Sequence, residues 1–134
     1  MTKVKKRAMV LALTLALTWG TCLVAYASAS AVLMGDETSK STACMGNTSG
    51  KFYYWGNVAS ASSYNVQFVV YGGKNSSNCN TSLEKKVYAP GTTFDKTSVP
   101  ADSSTYSVGK VTMYGNTVEN PKKNCIAGVT INNS

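Results

Sequence analysis

Between Tyr64 and Tyr71 the chain reads YNVQFVVY, with Tyr64, Val66, Phe68 and Val70 at one parity and Asn65, Gln67, Val69 and Tyr71 at the other. A period of two turns alternate side chains to opposite faces of a strand, so the first set is expected in a core and the second largely in water. Four further runs share this character: KFYYWGNV from Lys51, EKKVYA from Glu84, TYSVGKVTMY from Thr105 and CIAGVTI from Cys125. They are short and rich in Val, Tyr, Phe and Thr, the residues that suit a pleated, half-buried surface. The breaks fall at MGNTSG, YGGKNSSNCNTS, APGTTFD and YGNTVENPKKN, which supply Gly, Asn and Pro where tight turns need them. After the N-terminal segment no apolar period of 3.6 is sustained over ten residues, which predicts essentially no helix. Strands joined by turns within about one hundred residues predict an all-β antiparallel sandwich or small barrel.

The N-terminal segment has a different pattern. Lys3, Lys5, Lys6 and Arg7 precede an apolar stretch from Ala8 to about Ala25, and small residues follow, which is the layout of a secretory signal peptide. Two small-x-small frames fit cleavage, before Ser28 or before Ser30, and the first is preferred. The expected organisation is therefore a signal peptide over residues 1–27 and a single β-sandwich domain over residues 28–134, secreted to the extracellular medium or cell surface. An uncleaved anchor is the rival, since a bilayer span takes roughly 20 apolar residues, but Thr14, Thr18, Gly20 and Thr21 dilute the stretch. Cys22 follows Trp-Gly-Thr, a poor lipidation context.

Removing the leader changes the charge balance. Four of the 13 basic residues lie in it, leaving nine Lys against six acidic residues, a net of +3 rather than +7. Its Arg7 is the chain's only arginine. Nucleic-acid sites lean on Arg for bidentate phosphate and guanine contacts, so a nucleic-acid partner is not expected. The 107 residues from Ser28 carry 11 aromatics, enough for one folded domain and too few residues for a second.

Cys44, Cys79 and Cys125 survive processing. In an oxidising exterior two of them should pair and one should be left over. Loop entropy does not choose between the pairings, since closing loops of this range stabilises by roughly 4 to 4.5 kcal/mol in every case. Zinc is disfavoured, because the chain has no CxxC spacing and no histidine.

Trp55, Val58, Tyr64 and Val66, followed by Phe94, Val99, Pro100, Tyr106 and Val108, resemble the strand signatures of a fibronectin type III domain, over about residues 40–132. The resemblance implies an immunoglobulin-like sandwich with Trp55 and Tyr64 packed between the sheets and Tyr106 as a tyrosine corner whose hydroxyl bonds back to the preceding turn. It departs at Lys110, where an apolar residue is due two positions after Val108. A bulge at Gly109 would be needed to return Val111 and Met113 to the core. It also implies that Cys44 and Cys125 lie on edge strands on one side of the sandwich. The expected disulfide is then Cys44 with Cys125, leaving Cys79 free or available to link two copies as a dimer.

The chemistry is sparse. Without histidine, Ser-His-Asp and Cys-His arrangements are excluded. The six acids, Asp36, Glu37, Glu84, Asp95, Asp102 and Glu119, read as turn or edge residues rather than a facing glycosidase pair. Gly72-Gly73-Lys74 lacks phosphate-loop spacing. A sugar-stacking role for Trp55 would require it on the outer face. Asn47-Thr48-Ser49, Asn75-Ser76-Ser77 and Asn80-Thr81-Ser82 match glycosylation acceptors, but the leader has a bacterial look, so they are read as exposed polar loop.

No enzyme, cofactor or metal is expected, nor a stable membrane span once the signal is cleaved. The first functional expectation is a secreted, non-enzymatic interaction module whose partner is an extracellular protein or a cell-envelope component. Its candidate binding loops are Gly72 to Ser82, with Lys74, Asn75 and Asn78, and Tyr114 to Lys123, with Asn116, Lys122 and Lys123. The alternative is a small secreted antimicrobial or toxin-like effector, which lacks the usual support of a basic amphipathic helix.

Overall fold

A computed structural model of the chain describes residues 28–134. The expected signal peptide over residues 1–27 lies outside the described residues. Nine strands follow in order: β1 Ser28–Leu33, β2 Ser39–Ser41, β3 Met45–Gly46, β4 Lys51–Val58, β5 Val66–Gly73, β6 Cys79–Tyr88, β7 Thr93–Pro100, β8 Val108–Gly115 and β9 Ala127–Asn132. All named pairings are antiparallel. The strands form two sheets, β1-β9-β4-β7 and β2-β8-β5-β6, with β3 also on β8. The described residues hold no α-helix, only a short 3₁₀ turn at Ser76–Asn78, and none is long and apolar enough to cross a membrane.

Alternation builds the core. Phe52, Tyr54 and Val58 of β4 face Val66, Phe68 and Val70 of β5 across the layers, all buried. An aromatic cluster ties the sheets together: Phe94 meets Phe68 edge-on at 4.9 Å and stacks on Tyr88 at 4.3 Å, and Tyr54 meets Phe94 at 5.6 Å. Such pairs contribute about 0.5–1.5 kcal/mol beyond the area they bury.

Several details depart from the sequence expectations. β8 runs against β5 in unbroken register from Val66 opposite Gly115 to Gly73 opposite Val108, so no bulge occurs at Gly109. Val111 and Met113 reach the core because Gly109, Val111 and Met113 share its parity, which turns Val108 and Lys110 outward. Tyr64 lies before β5 and is 40% exposed, with the Lys122 Nζ 5.5 Å from its ring. Trp55 sits at the parity opposite Tyr54 and does not enter the core. Tyr106 packs against the core, but its backbone N–H rather than its hydroxyl bonds to the Asp102 carbonyl, at 2.7 Å. β9 is an inner strand between β1 and β4, while β2 and β3 lie at the edge of the other sheet. The edge placement that would have joined Cys44 to Cys125 is therefore not the one observed.

Candidate functional site: two outward sheet faces

The outer face of the β1-β9-β4-β7 sheet carries an open groove of about 790 Å³. One cross-strand row places Ser30, Thr130 and Trp55 side by side, and the next places Val32, Gly128 and Asn57. Gly128 has no side chain, so the second row is low at its centre and the groove runs over it beside the indole. The Ser30 and Thr130 hydroxyls bond to each other at 2.8 Å. On the far side, β7 shifts register against β4, with Thr97 opposite Tyr54 but Phe94 opposite Gly56. One residue of β4, Trp55, thus stands opposite two of β7, a bulge that keeps Phe94 and Val99 in the core while Asp95 and Lys96 both reach the groove.

Gly56 is required at that bulge, because a Cβ there would stand 2.2 Å from the Gly128 carbonyl oxygen. Lys96 is held rather than free: its Nζ lies 4.8 Å from the Tyr53 ring centroid and 5.9 Å from that of Trp55, and it donates to the Ser134 carbonyl at 3.2 Å. The groove therefore offers one half-buried indole, an amide at Asn57, paired hydroxyls, and a single carboxylate beside a single ammonium. That set suits flat, hydroxyl-rich ligands, which stack a C–H face on an aromatic ring and hydrogen-bond at the rim. It contains no facing pair of carboxylates.

The outer face of the second sheet is polar and thiol-bearing. Tyr71 and Tyr114 share a hydroxyl hydrogen bond of 2.8 Å, and burial, then Tyr71, raises the Tyr114 ionisation above its ordinary value. Ser41 and Thr112 hydroxyls meet at 2.6 Å. A smaller groove of about 320 Å³ runs past these residues to Lys110 and Cys79. The Cys79 thiol donates to the Tyr71 carbonyl at 3.6 Å, and Cys44 stands on the same face. The neighbouring Cys79 thiol lowers Cys44 to about 6, with Lys110 and Ser76 acting in the same direction and partial burial opposing them. Cys79 is pushed the other way, by Cys44 and by burial, and keeps the proton.

The remaining residues singled out from sequence are dispersed. Cys125 is buried where β8 ends, its thiol donating to the carbonyls of Tyr64 and Asn65 at 3.7 and 3.9 Å. A Cβ on Gly115 would lie 3.1 Å from its sulfur. Met45, next to Cys44, pairs with Gly109, so Cys44 and Cys125 stand near opposite ends of β8, roughly 20 Å apart. Among the described residues no two cysteines are disulfide-bonded.

The two candidate loops also lie at opposite ends of the second sheet, and the first already contains the start of β6. Several of their residues are occupied by local structure. The Asn75 side chain accepts from the backbone N–H of Ser77 and Asn78, both at 3.0 Å. Asn116 has φ of 71° and donates its side-chain amide to the Asn120 carbonyl at 2.9 Å. Lys74, Asn78 and Lys123 are exposed, and Lys122 lies over Tyr64. Asn47, read as exposed loop, is half-buried and donates to the carbonyls of Ala101 and Tyr106 at 2.7 and 2.9 Å. Asp102 is the expected turn former: hydroxyls of Ser104 and then Thr105 bond its carboxylate and hold it below the usual range.

What sequence reasoning missed was the groove over Trp55. Its only local signal was the run Phe52-Tyr53-Tyr54-Trp55, which puts aromatics on both faces of one strand. No protein-family model, no curated protein and no solved structure matches this chain.

Proposed function

We propose that the chain is an exported, non-enzymatic binding module that takes a cell-envelope polysaccharide in the groove over Trp55. The observation that supports this reading is the position of that indole. It stands half-buried among Ser30, Thr130 and Asn57, with exposed Val32 in the next row, beside a strip that Gly128 leaves low. Trp55 and Val32 line one groove and give it an apolar platform, and a sugar ring has the shape and chemistry to stack there. The bulge that turns Asp95 and Lys96 to the rim supplies hydrogen-bonding groups of both kinds. A passive surface needs neither feature.

The test is co-sedimentation of the protein with insoluble cell-wall polysaccharide, compared with the Trp55→Ala variant. Binding that weakens at least tenfold in the variant, the scale expected when a central Trp is truncated, supports the assignment. Equal binding by both proteins, or none by either, defeats it. Leakage of lipid vesicles at low micromolar protein would point instead to an effector acting on membranes.

A further inference from the structure

The first four residues of β6 do not lie flat beside β5. Tyr71 pairs with Ser82 and Val70 with Glu84, then Gly72 pairs with Thr81 and Gly73 with Cys79, so β6 carries an extra residue at Leu83 and another at Asn80. Two bulges in so short a span curl the strand. The curl brings it over the end of β5, where a Cβ on Gly73 would lie 2.5 Å from the Cys79 Cα and 1.8 Å from the Asn78 carbonyl oxygen. Gly73 is therefore what lets the chain cross there. The crossing aims the Cys79 thiol across β5 toward β8, 3.6 Å from the Tyr71 carbonyl and 3.9 Å from that of Val108.

From the opposite edge, Cys44 arrives at the same place. Met45 faces inward opposite Gly109, so Cys44, one residue earlier, falls on the outward parity beside Lys110. The two side chains thus converge on the outer face of β8, with the Lys110 ammonium and the Ser76 hydroxyl near Cys44. We infer that Cys44 and Cys79 are a redox pair, which closes into an intramolecular disulfide by exchange with a disulfide-bearing oxidant and leaves Cys125 reduced.

The two sulfurs are unequal in the way such a reaction needs. Cys44 is partly exposed, and its neighbours favour the thiolate. Cys79 is 2% exposed, so an external disulfide reaches Cys44 first. The Cys44 thiolate attacks one sulfur of the oxidant, whose other sulfur departs as a thiolate. Cys79 gives up its proton to that thiolate and attacks the Cys44 sulfur, and the oxidant's second half leaves. The protein's two thiols have lost two electrons, and the oxidant's disulfide has become two thiols. The bridge joins the chain just before β3 to the start of β6, on opposite edges of the five-stranded sheet. Cys125 is excluded by position, buried near the far end of β8 among three carbonyl oxygens.

Cleavage after lysine separates the three thiols onto residues 41–51, 75–85 and 124–134, so peptide mapping reads the pairing directly. Protein exported from its full-length chain is alkylated without reductant, digested and weighed. The expected result is peptides 41–51 and 75–85 linked and two hydrogens lighter than their sum, with 124–134 carrying one alkyl group. Three alkylated thiols, a link to Cys125 or Cys22, or a bridge between two copies would each overturn the inference. As a second arm, reduced Cys79→Ser protein is treated with oxidised glutathione. An adduct on 41–51 is expected, and an adduct on 124–134 alone, or none, contradicts the assigned order of attack.

Discussion

The Tyr54 hydroxyl donates a 2.8 Å hydrogen bond to the Glu84 carboxylate, joining the central strand β4 of one sheet to the edge strand β6 of the other. Burial of Tyr54, and then the Glu84 carboxylate, raise the phenol's ionisation above its ordinary value of 10.0. A group whose folded-state pKa is raised contributes stability that is fully present below the unfolded pKa and is lost as pH rises beyond it. Melting temperature should therefore fall between pH 9 and 11. Tyr54→Phe should lower stability at neutral pH by about 1–2 kcal/mol, the cost of leaving the carboxylate without its donor, and should flatten the alkaline slope. Tyr114, raised in the same direction, keeps the slope from vanishing. A variant whose alkaline fall is as steep as that of the parent would show that Tyr54 is not the group responsible.

Gly56 and Gly128 touch and yet predict opposite outcomes. A Cβ at Gly56 would meet the Gly128 carbonyl at 2.2 Å, a backbone atom that cannot rotate away. Gly56→Ala should cost about 2–3 kcal/mol or prevent folding, as forced backbone shifts do. A Cβ at Gly128 meets only the Asn57 side-chain oxygen at 3.4 Å and the Ala31 carbonyl at 3.9 Å. Gly128→Val should leave thermal stability unchanged or raise it by up to about 1 kcal/mol, since Val suits a strand better than Gly. The same change fills the groove and should abolish polysaccharide binding. Chemical melts of the two variants, with co-sedimentation of the second, check the pair.

In the reduced protein, Cys44 should alkylate with a pH midpoint of about 6, the value to which Cys79, Lys110 and Ser76 bring it. An ordinary thiol titrates near 8.5. Lys110→Met should move the midpoint upward, and Cys79→Ala should move it further, because the neighbouring Cys79 thiol is the largest cause. Stopped-flow alkylation with residue 41–51 as the readout measures both shifts. A midpoint that stays put in Cys79→Ala would remove Cys79 from contact with Cys44.

Removing β1 exposes the inner strand β9 along its whole length, since six residues from Ser28 to Leu33 pair with it. Ala29 and Leu33 also leave the core. A chain truncated to begin at Met34 should lose about 2–5 kcal/mol on the scale of deleting a buried Leu and should aggregate through the bare edge. A chain truncated to begin at Ser30 loses only Ala29 from the core and should be milder. Light scattering and urea melts of the truncated chains distinguish the cases.

Much of the sandwich is legible in the sequence because one parity carries the apolar residues. Lys51–Val58 emerges with its observed bounds, and Val66, Phe68 and Val70 enter the core as alternation requires, but the opposite parity is not wet as expected, since Gln67 and Val69 are buried as well in this inner strand. β1 is less legible, since SASAVL continues a run of small residues from the N-terminal segment and pairs only with the far end of the chain. The side on which Trp55 falls is hidden for a different reason. Aromatics at four consecutive positions fit either parity, and what settles the face is Phe52 and Tyr54 meeting the opposite sheet, a tertiary choice. Lys110 misleads in the same way, because Val108 and Val111 imply different parities until β5 fixes the register. The thiol pair was out of reach: it depends on two bulges in β6 and a glycine beneath them, none of which spacing between cysteines encodes.

Trp55 is the sole tryptophan among residues 28–134, so iodide quenching of its fluorescence, measured in a chain beginning at Ser28 or in a full chain with Trp19→Phe, tests directly whether the indole faces the groove. An indole in the groove gives a red-shifted emission that iodide quenches and that added cell-wall oligosaccharide protects from quenching. A blue-shifted emission that iodide does not reach, unchanged by the sugar, would place the ring between the sheets and contradict that placement.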